Sequence, residues 1–316
     1  MIRPLLRLAL AVSVSALGLA AAEFSARFAF RHAGTSGNAR DFIGQHGAAP
    51  PIRNNSLGFR EREIPPKSNR YRIVVVGDSF TWGQGVEEQD RFSDRIEQVL
   101  GPRYEVFNFG RPGDNMPEHL DVLTQALAVS PDFVLLQLYI NDFETAAMQR
   151  PRPKPLLPED WDRRMERSSM LYDLLRNQWN ITQEKIGLTD SYARYMERNL
   201  RDPASPHARL AYGQLAEFFD GARAANVPAG AVLFPAPDSL GPYGRDYPFG
   251  YLHDGVRQMC AAKQVPCLDL LPLYATFADP TTLWVSPLDA HPNAMSHSRA
   301  ADEILARFRP VWRPAA

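Results

Sequence analysis

Cysteine is scarce here, with only two in 316 residues. Cys260 and Cys267 lack zinc-type spacing, and two thiols cannot fill a tetrahedral metal shell. In an oxidising compartment they could form one disulfide between a helix end and the next strand, and the alternative is two buried free thiols. Net charge is missing too: 35 Lys and Arg face 36 Asp and Glu, for a formal charge of -1. No global field therefore recruits nucleic acid or anionic lipid. Gly77, Gly83 and Gly85 do not keep G-x-G-x-x-G spacing, and Asp78 would repel a phosphate, which argues against a nucleotide.

A hydrophobic share of 45% and a charged share of 22% are ordinary for a globular chain with a sizeable core. The beginning is less ordinary. Arg3 and Arg7 are followed by Leu8 to Ala22, apolar apart from two serines and closing on Ala20-Ala21-Ala22 before Glu23. This is the layout of an export signal. The run is shorter than the roughly 20 residues of a spanning helix, though Leu5 and Leu6 bring an uncleaved anchor within reach. Residues 1–22 are thus expected to be a signal peptide or an N-terminal membrane anchor. The protein is expected outside the cytoplasm, periplasmic or attached to the inner membrane facing outward. Residues 23–70 show no sustained periodicity and carry Gly44, Pro50, Pro51 and Pro65-Pro66. They read as a leader wrapping over the domain, with Asn55-Ser56-Leu57-Gly58-Phe59-Arg60 as a docked turn, or else as a tether.

From Tyr71 a strand–helix alternation takes over. Strands are expected at Arg72–Val76, Glu105–Phe109, Phe133–Tyr139, Ala229–Phe234 and Pro266–Leu270. Helices are expected at Asp90–Leu100, Pro117–Ala128, His207–Ala225, Leu252–Ala262 and Ala294–Phe308. The segment 143–205 interrupts the pattern with helix-like pieces near Ser169–Gln178 and Ser191–Leu200. It reads as an insertion over the strands' carboxyl edge, where such loops often shape a cleft. The expected fold is α/β, a three-layer α/β/α sandwich on a five-stranded parallel sheet, spanning residues 71–316 with a helical insertion.

Three features fall just after strands: Ser79, Gly110 and Asn141. A fourth, Asp289-Ala290-His291-Pro292, follows the last strand. All are expected along one sheet edge, where open α/β sheets bind ligands. Ser79 alone reads equally well as a helix cap. A serine hydroxyl becomes a nucleophile when an imidazole accepts its proton, and the imidazole needs a carboxylate to fix its tautomer. Ser79, His291 and Asp289 fill those roles. The N–H groups of Ser79 and Gly110 and the Asn141 amide supply donors for an oxyanion. Asp78 is expected to bond within its own turn. A metal held by Asp289, His291 and His297 is disfavoured, since His297 falls on the last helix, turned from the loop. His32, His46, His119, His207 and His253 read as surface or structural groups, and Trp82, Trp161 and Trp179 as core or cleft aromatics.

These residues stand in four blocks: Gly77-Asp78-Ser79-Phe80, Asn108-Phe109-Gly110-Arg111-Pro112-Gly113, Tyr139-Ile140-Asn141-Asp142 and Asp289-Ala290-His291-Pro292-Asn293. In that order the chain resembles the SGNH (GDSL-type) hydrolases, whose blocks carry Ser, Gly, Asn and His. Phe80 stands where the family often has leucine, and Tyr139 where it commonly has glycine. The family's acid commonly lies three residues before the histidine, which here is Leu288. Asp289, two before it, is a spacing that resembles exported SGNH-like sugar O-acetyltransferases and related anchored proteins. Asp289 capping the last helix is the alternative, with Asn293 the better-placed cap. The resemblance implies a flavodoxin-like SGNH hydrolase fold and a cofactor-free serine hydrolase. Its expected substrate is a small-molecule or glycan ester carrying a short acyl or acetyl group on a carbohydrate or lipid. An O-acyltransferase using a sugar hydroxyl, or a non-catalytic envelope binding or scaffold protein, are the competing expectations.

Overall fold

The run Ile73–Val76 is buried on both sides because alternate residues feed two separate cores. Val74 and Val76 join one apolar cluster, and Ile73 and Val75 join the other. Such two-faced burial is the mark of a parallel sheet covered by helices. A computed structural model describes residues 2–31, 52–149, 152–286 and 289–314. Gly44, Pro50, Pro51, His32, His46 and Leu288 lie outside these described residues.

The strands are β1 (Tyr71–Gly77), β2 (Tyr104–Gly110), β3 (Phe133–Leu138), β4 (Ala229–Leu233) and β5 (Cys267–Asp269). They form one five-stranded sheet in the order β2-β1-β3-β4-β5, every pair parallel. The connections leave β1 towards β2 on one side and return to β3 on the other. The switch point therefore lies at the carboxyl end of β1, where doubly wound sheets bind ligands. Gly77 pairs with Gly110, so the last residues of β1 and β2 lie side by side.

The helices Met116–Ala128, Pro206–Ala224 and Gly250–Lys263 cover the Val74 face. Phe92–Leu100 and Ala294–Phe308 cover the Ile73 face. The three-layer sandwich expected from sequence is the observed fold. Cys260 and Cys267 are both free thiols.

The segment around the sandwich departs from expectation in three places. The insertion carries a helix at Glu159–Ser168 in addition to Met170–Lys185 and Tyr192–Leu200. Asp162 is the sole buried residue of that extra helix, so it lacks the apolar stripe by which a helix is read. The expected loop Trp284–Asn293 instead contains a ribbon of β6 (Trp284–Ser286) antiparallel to β7 (Asp289–Pro292). Finally, a helix runs without a break over Ile2–Arg31, across the Ala22–Glu23 boundary. Ala26 is buried on it, and the helix packs against Met170–Lys185. The Glu23 carboxylate accepts from Ser169 Oγ at 2.7 Å and from the Met170 and Leu171 N–H groups, each at 3.0 Å. Burial alone would raise its pKa, but these donors and Arg27 outweigh that and hold it down at about 2. Among the described residues no helix is long and apolar enough to cross a membrane.

The docked turn of the leader is present. Asn55 Oδ1 accepts from Leu57 N and Phe59 N, each at 3.0 Å, and the Phe59 ring stacks on Phe109 at 4.1 Å.

Candidate active site

The site begins where β1 runs out of room. A Cβ on Gly77 would lie 2.2 Å from Thr81 Oγ1 and 2.4 Å from Gln137 Oε1, so only glycine lets the chain turn there. Asp78 then caps the one-turn helix Ser79–Trp82, its Oδ1 accepting from Phe80 N at 2.9 Å. From β3, Gln137 Oε1 accepts from Thr81 Oγ1 at 2.8 Å and Thr81 N at 3.2 Å, pinning the turn to the sheet. Ser79 thus opens a short helix whose first N–H groups have no acceptor within it.

The serine has its partners. Ser79 Oγ lies 2.9 Å from His291 Nε2, and His291 Nδ1 lies 2.5 Å from Asp289 Oδ1. The same carboxylate oxygen accepts from the His291 backbone N–H at 3.0 Å, which locks ring and backbone together. Asp289 is buried, while 26% of the His291 side chain remains accessible. The β6–β7 ribbon presents this pair, and Asn293 fixes its base by donating to the Trp284 carbonyl at 2.9 Å. Asn293 also caps the last helix, accepting from Ser296 N at 3.0 Å, so Asp289 is left to the histidine. Phe80 stands edge-on to the imidazole at 5.5 Å, and Tyr139 lies against Phe80 at 4.4 Å. The turn Pro237–Ser239 packs against β7.

Gly110 is brought to the same edge, but in a different part. Its N–H, expected as an oxyanion donor, instead donates to Asn108 Oδ1 at 3.0 Å. The Asn108 side chain reaches back over two residues because its own amide donates to the Thr81 carbonyl at 2.6 Å and to Ser93 Oγ at 2.8 Å. What Gly110 supplies is space: a Cβ there would lie 2.2 Å from Trp82 N. Asn141 stands on the one-turn 3-10 helix Ile140–Phe143, its amide oxygen buried without a hydrogen-bond partner among the described residues.

Behind Ser79 and Asn141 lies a sealed polar cluster. His119 Nε2 pairs with Asp142 Oδ1 at 2.9 Å, and both side chains are fully buried. Burial, then the like charge of Asp142, pushes the Asp78 carboxyl up to about 7, against the pull of Phe80 N–H, His119 and His291. Burial pushes His119 down, but Asp142, Asp78 and Asp114 outweigh it and leave its pKa raised. His297 is elsewhere, as expected: its Nδ1 accepts from Phe92 N at 3.2 Å, and burial with nearby arginines holds its pKa near 3. Of the remaining histidines, His253 pairs with Asp269 at 2.8 Å and His207 with Thr145 at 2.9 Å.

Several supports escape a sequence reading. Arg60, at the end of the docked turn, donates to the Gly83 carbonyl at 2.9 Å and the Val86 carbonyl at 3.0 Å, and its guanidinium lies 4.8 Å over Trp82. Glu61 accepts from Asn108 N at 2.8 Å. The leader therefore braces the Ser79 turn. Gln137 did carry a signal, as the lone polar residue of an apolar strand. Arg60 is legible only as the end of the docked turn, and Glu61 not at all.

The doubly wound sheet, with a serine, histidine and carboxylate in hydrogen-bonded sequence at its switch point, defines a class of serine hydrolases. The sequence profile described as "GDSL-like Lipase/Acylhydrolase family" matches residues 75–299. The chain belongs to this family, whose members are ester hydrolases. No curated protein sequence matches it. Among solved structures it is similar to TesA, at 16% identity, with 76% of this chain and 99% of that one covered and a TM-score of 0.47. It is also similar to a psychrotrophic esterase, EstA, from Pseudoalteromonas sp. (14% identity, 76% and 98% covered, TM-score 0.46). An acetylxylan esterase from Geobacillus stearothermophilus is a third (13% identity, 75% and 93% covered, TM-score 0.45).

Proposed function

We propose that the protein is an exported serine esterase that removes a short acyl group, such as acetyl, from a carbohydrate or lipid alcohol. The observation carrying this is the unbroken run from Ser79 Oγ through His291 to Asp289, at 2.9 and 2.5 Å. His291 Nε2 takes the hydroxyl proton as Ser79 Oγ attacks the ester carbonyl. Asp289 holds the Nδ1–H tautomer and balances the imidazolium. The negative oxygen of the tetrahedral adduct is received by the Ser79 N–H and the Asn141 amide. Collapse expels the alcohol, which takes the proton from His291, and leaves an acyl-serine. Water, deprotonated by the same imidazole, then releases the acid and restores the hydroxyl.

The short acyl group is supported by Phe80, whose ring stands 5.5 Å from the imidazole and is itself backed by the Tyr139 ring at 4.4 Å. Export is supported by the charge pattern of residues 1–22 and by the exposed Val12, Val14, Leu17 and Leu19. Labelling with a fluorophosphonate and turnover of p-nitrophenyl acetate test the reading. Wild type should label and turn over, and Ser79→Ala should do neither. Equal labelling of the two would remove Ser79 from its role. Transfer of a labelled acetyl group to a glycan in preference to water would make the enzyme an acyltransferase.

A further inference from the structure

We infer that the buried His119–Asp142 pair is a positioning device that holds the Asn141 amide in place for the oxyanion. The inference rests on Asn141 serving as a donor in the reaction just proposed. Asp142 uses both oxygens. Oδ2 accepts from Tyr139 N at 2.6 Å and closes the 3-10 turn on which Asn141 stands. Oδ1 takes the His119 ring at 2.9 Å, fastening that turn to the helix Met116–Ala128. A second fastening comes from Asn115 at the start of the same helix. In the amide orientation its neighbours require, it donates to the Asn141 carbonyl oxygen at 3.3 Å. The segment carrying Asn141 is thus tied to one helix at two points, the Asn141 carbonyl and the Asp142 side chain.

Stability alone is a poor reason for such a pair. A buried carboxylate and imidazole lose hydration that their attraction repays only with good geometry and satisfied neighbours. Here the neighbours are not satisfied. Of eight buried side-chain atoms without a hydrogen-bond partner among the described residues, four belong to Asp78, His119, Gln137 and Asn141. Half of these orphans therefore belong to Asn141 itself, to Asp78 beside Ser79, and to Gln137 and His119, which are bonded to those two turns. Unsatisfied polar groups held in place by their surroundings are a feature of functional sites. An oxyanion donor works because it is already aimed before charge develops, and a displacement of about 1 Å can lower a rate 10²-fold.

The test is a double-mutant cycle on p-nitrophenyl acetate hydrolysis, using His119→Phe, Asn141→Ala and the pair. His119→Phe keeps the ring volume and removes the donor to Asp142. It should lower kcat about 10- to 100-fold with KM nearly unchanged. In the Asn141→Ala background it should add less than about threefold, since there is no amide left to position. His119→Gln, which returns an N–H near Nε2, should recover most of the loss. Full additivity of the two losses would overturn the inference, and so would a kcat for folded His119→Phe equal to wild type. If His119→Phe does not fold, Asp142→Asn serves in the same cycle, because its amide oxygen still accepts from Tyr139 N. An Asn141→Ala enzyme with full activity would instead remove Asn141 from the reaction, a failure distinct from additivity.

Discussion

Two aspartate–histidine pairs share one chemistry and differ in their surroundings, and on the readings proposed above they do different work. In Asp289–His291 the far ring nitrogen meets Ser79 Oγ, and a quarter of the imidazole side chain is accessible. In Asp142–His119 the far nitrogen has no hydrogen-bond partner among the described residues, and both side chains are sealed. A third pair, His253–Asp269, ends on the Tyr247 hydroxyl at 3.0 Å. A carboxylate beside an imidazole is therefore not the sign of a catalytic site. On these proposed roles, what separates a relay from a brace is the group at the second nitrogen and whether a substrate can reach it.

The sharpest way to break this comparison is to exchange the carboxylate of the exposed pair. Asp289→Asn should leave the histidine in the wrong tautomer and lower kcat on p-nitrophenyl acetate by about 10⁴-fold. A loss under tenfold would place the two pairs on the same footing and send the acid's role elsewhere. The next test concerns the charge behind the serine. Asp78 keeps its proton in the fold up to about pH 7, whereas in the unfolded chain it ionises near its ordinary value. The native state binds the extra proton, so stability should fall as pH rises from about 4 to about 7. His119, with a raised pKa, acts in the same direction above its unfolded value. Thermal melts of Asp78→Asn should show a smaller fall between pH 5 and pH 8 than wild type, by a few degrees in Tm. Equal slopes would mean that Asp78 is ionised inside the fold. The smallest effect on rate is expected at the third pair. His253→Asn should lower stability by about 1–3 kcal/mol through its lost bonds, yet leave kcat within about threefold. A larger drop in kcat would promote this pair into the machinery.

Much of this arrangement could be read from residue types alone, for a physical reason. Strands buried on both faces appear as unbroken β-branched or aromatic runs, and the first three blocks mark where those runs stop. That was enough to place Ser79, Asn141 and the Asp289–His291 pair at one sheet edge. Local order is legible too, so the Asn55 turn showed in its own composition. The rest depends on contacts distant in sequence. Nothing local reveals that Glu61 reaches Asn108 or that His119 finds Asp142 across a helix and a strand. The Gly110 N–H was assigned as a donor because its place on the edge was clear, while the competing Asn108 side chain was not. The helix over Glu23–Arg31 was missed because Glu23 and Arg27 read as polar linker residues. Their partners, Ser169 Oγ and the Ser168 carbonyl, lie in the insertion.

The close approach of Gly110 to Trp82 bears on redesign of this enzyme. With 2.2 Å between a notional Cβ and the Trp82 nitrogen, position 110 tolerates no added atom unless the strand edge and the nucleophile's turn move apart. Ser79, whose Oγ lies 2.9 Å from His291 Nε2, stands on that same turn. Attempts to widen the substrate range are therefore better aimed at side chains that do not set this spacing. On the proposed reading Tyr139 is a natural first choice, since its ring backs Phe80 beside His291 and trimming it leaves the backbone ruler between β1 and β2 intact.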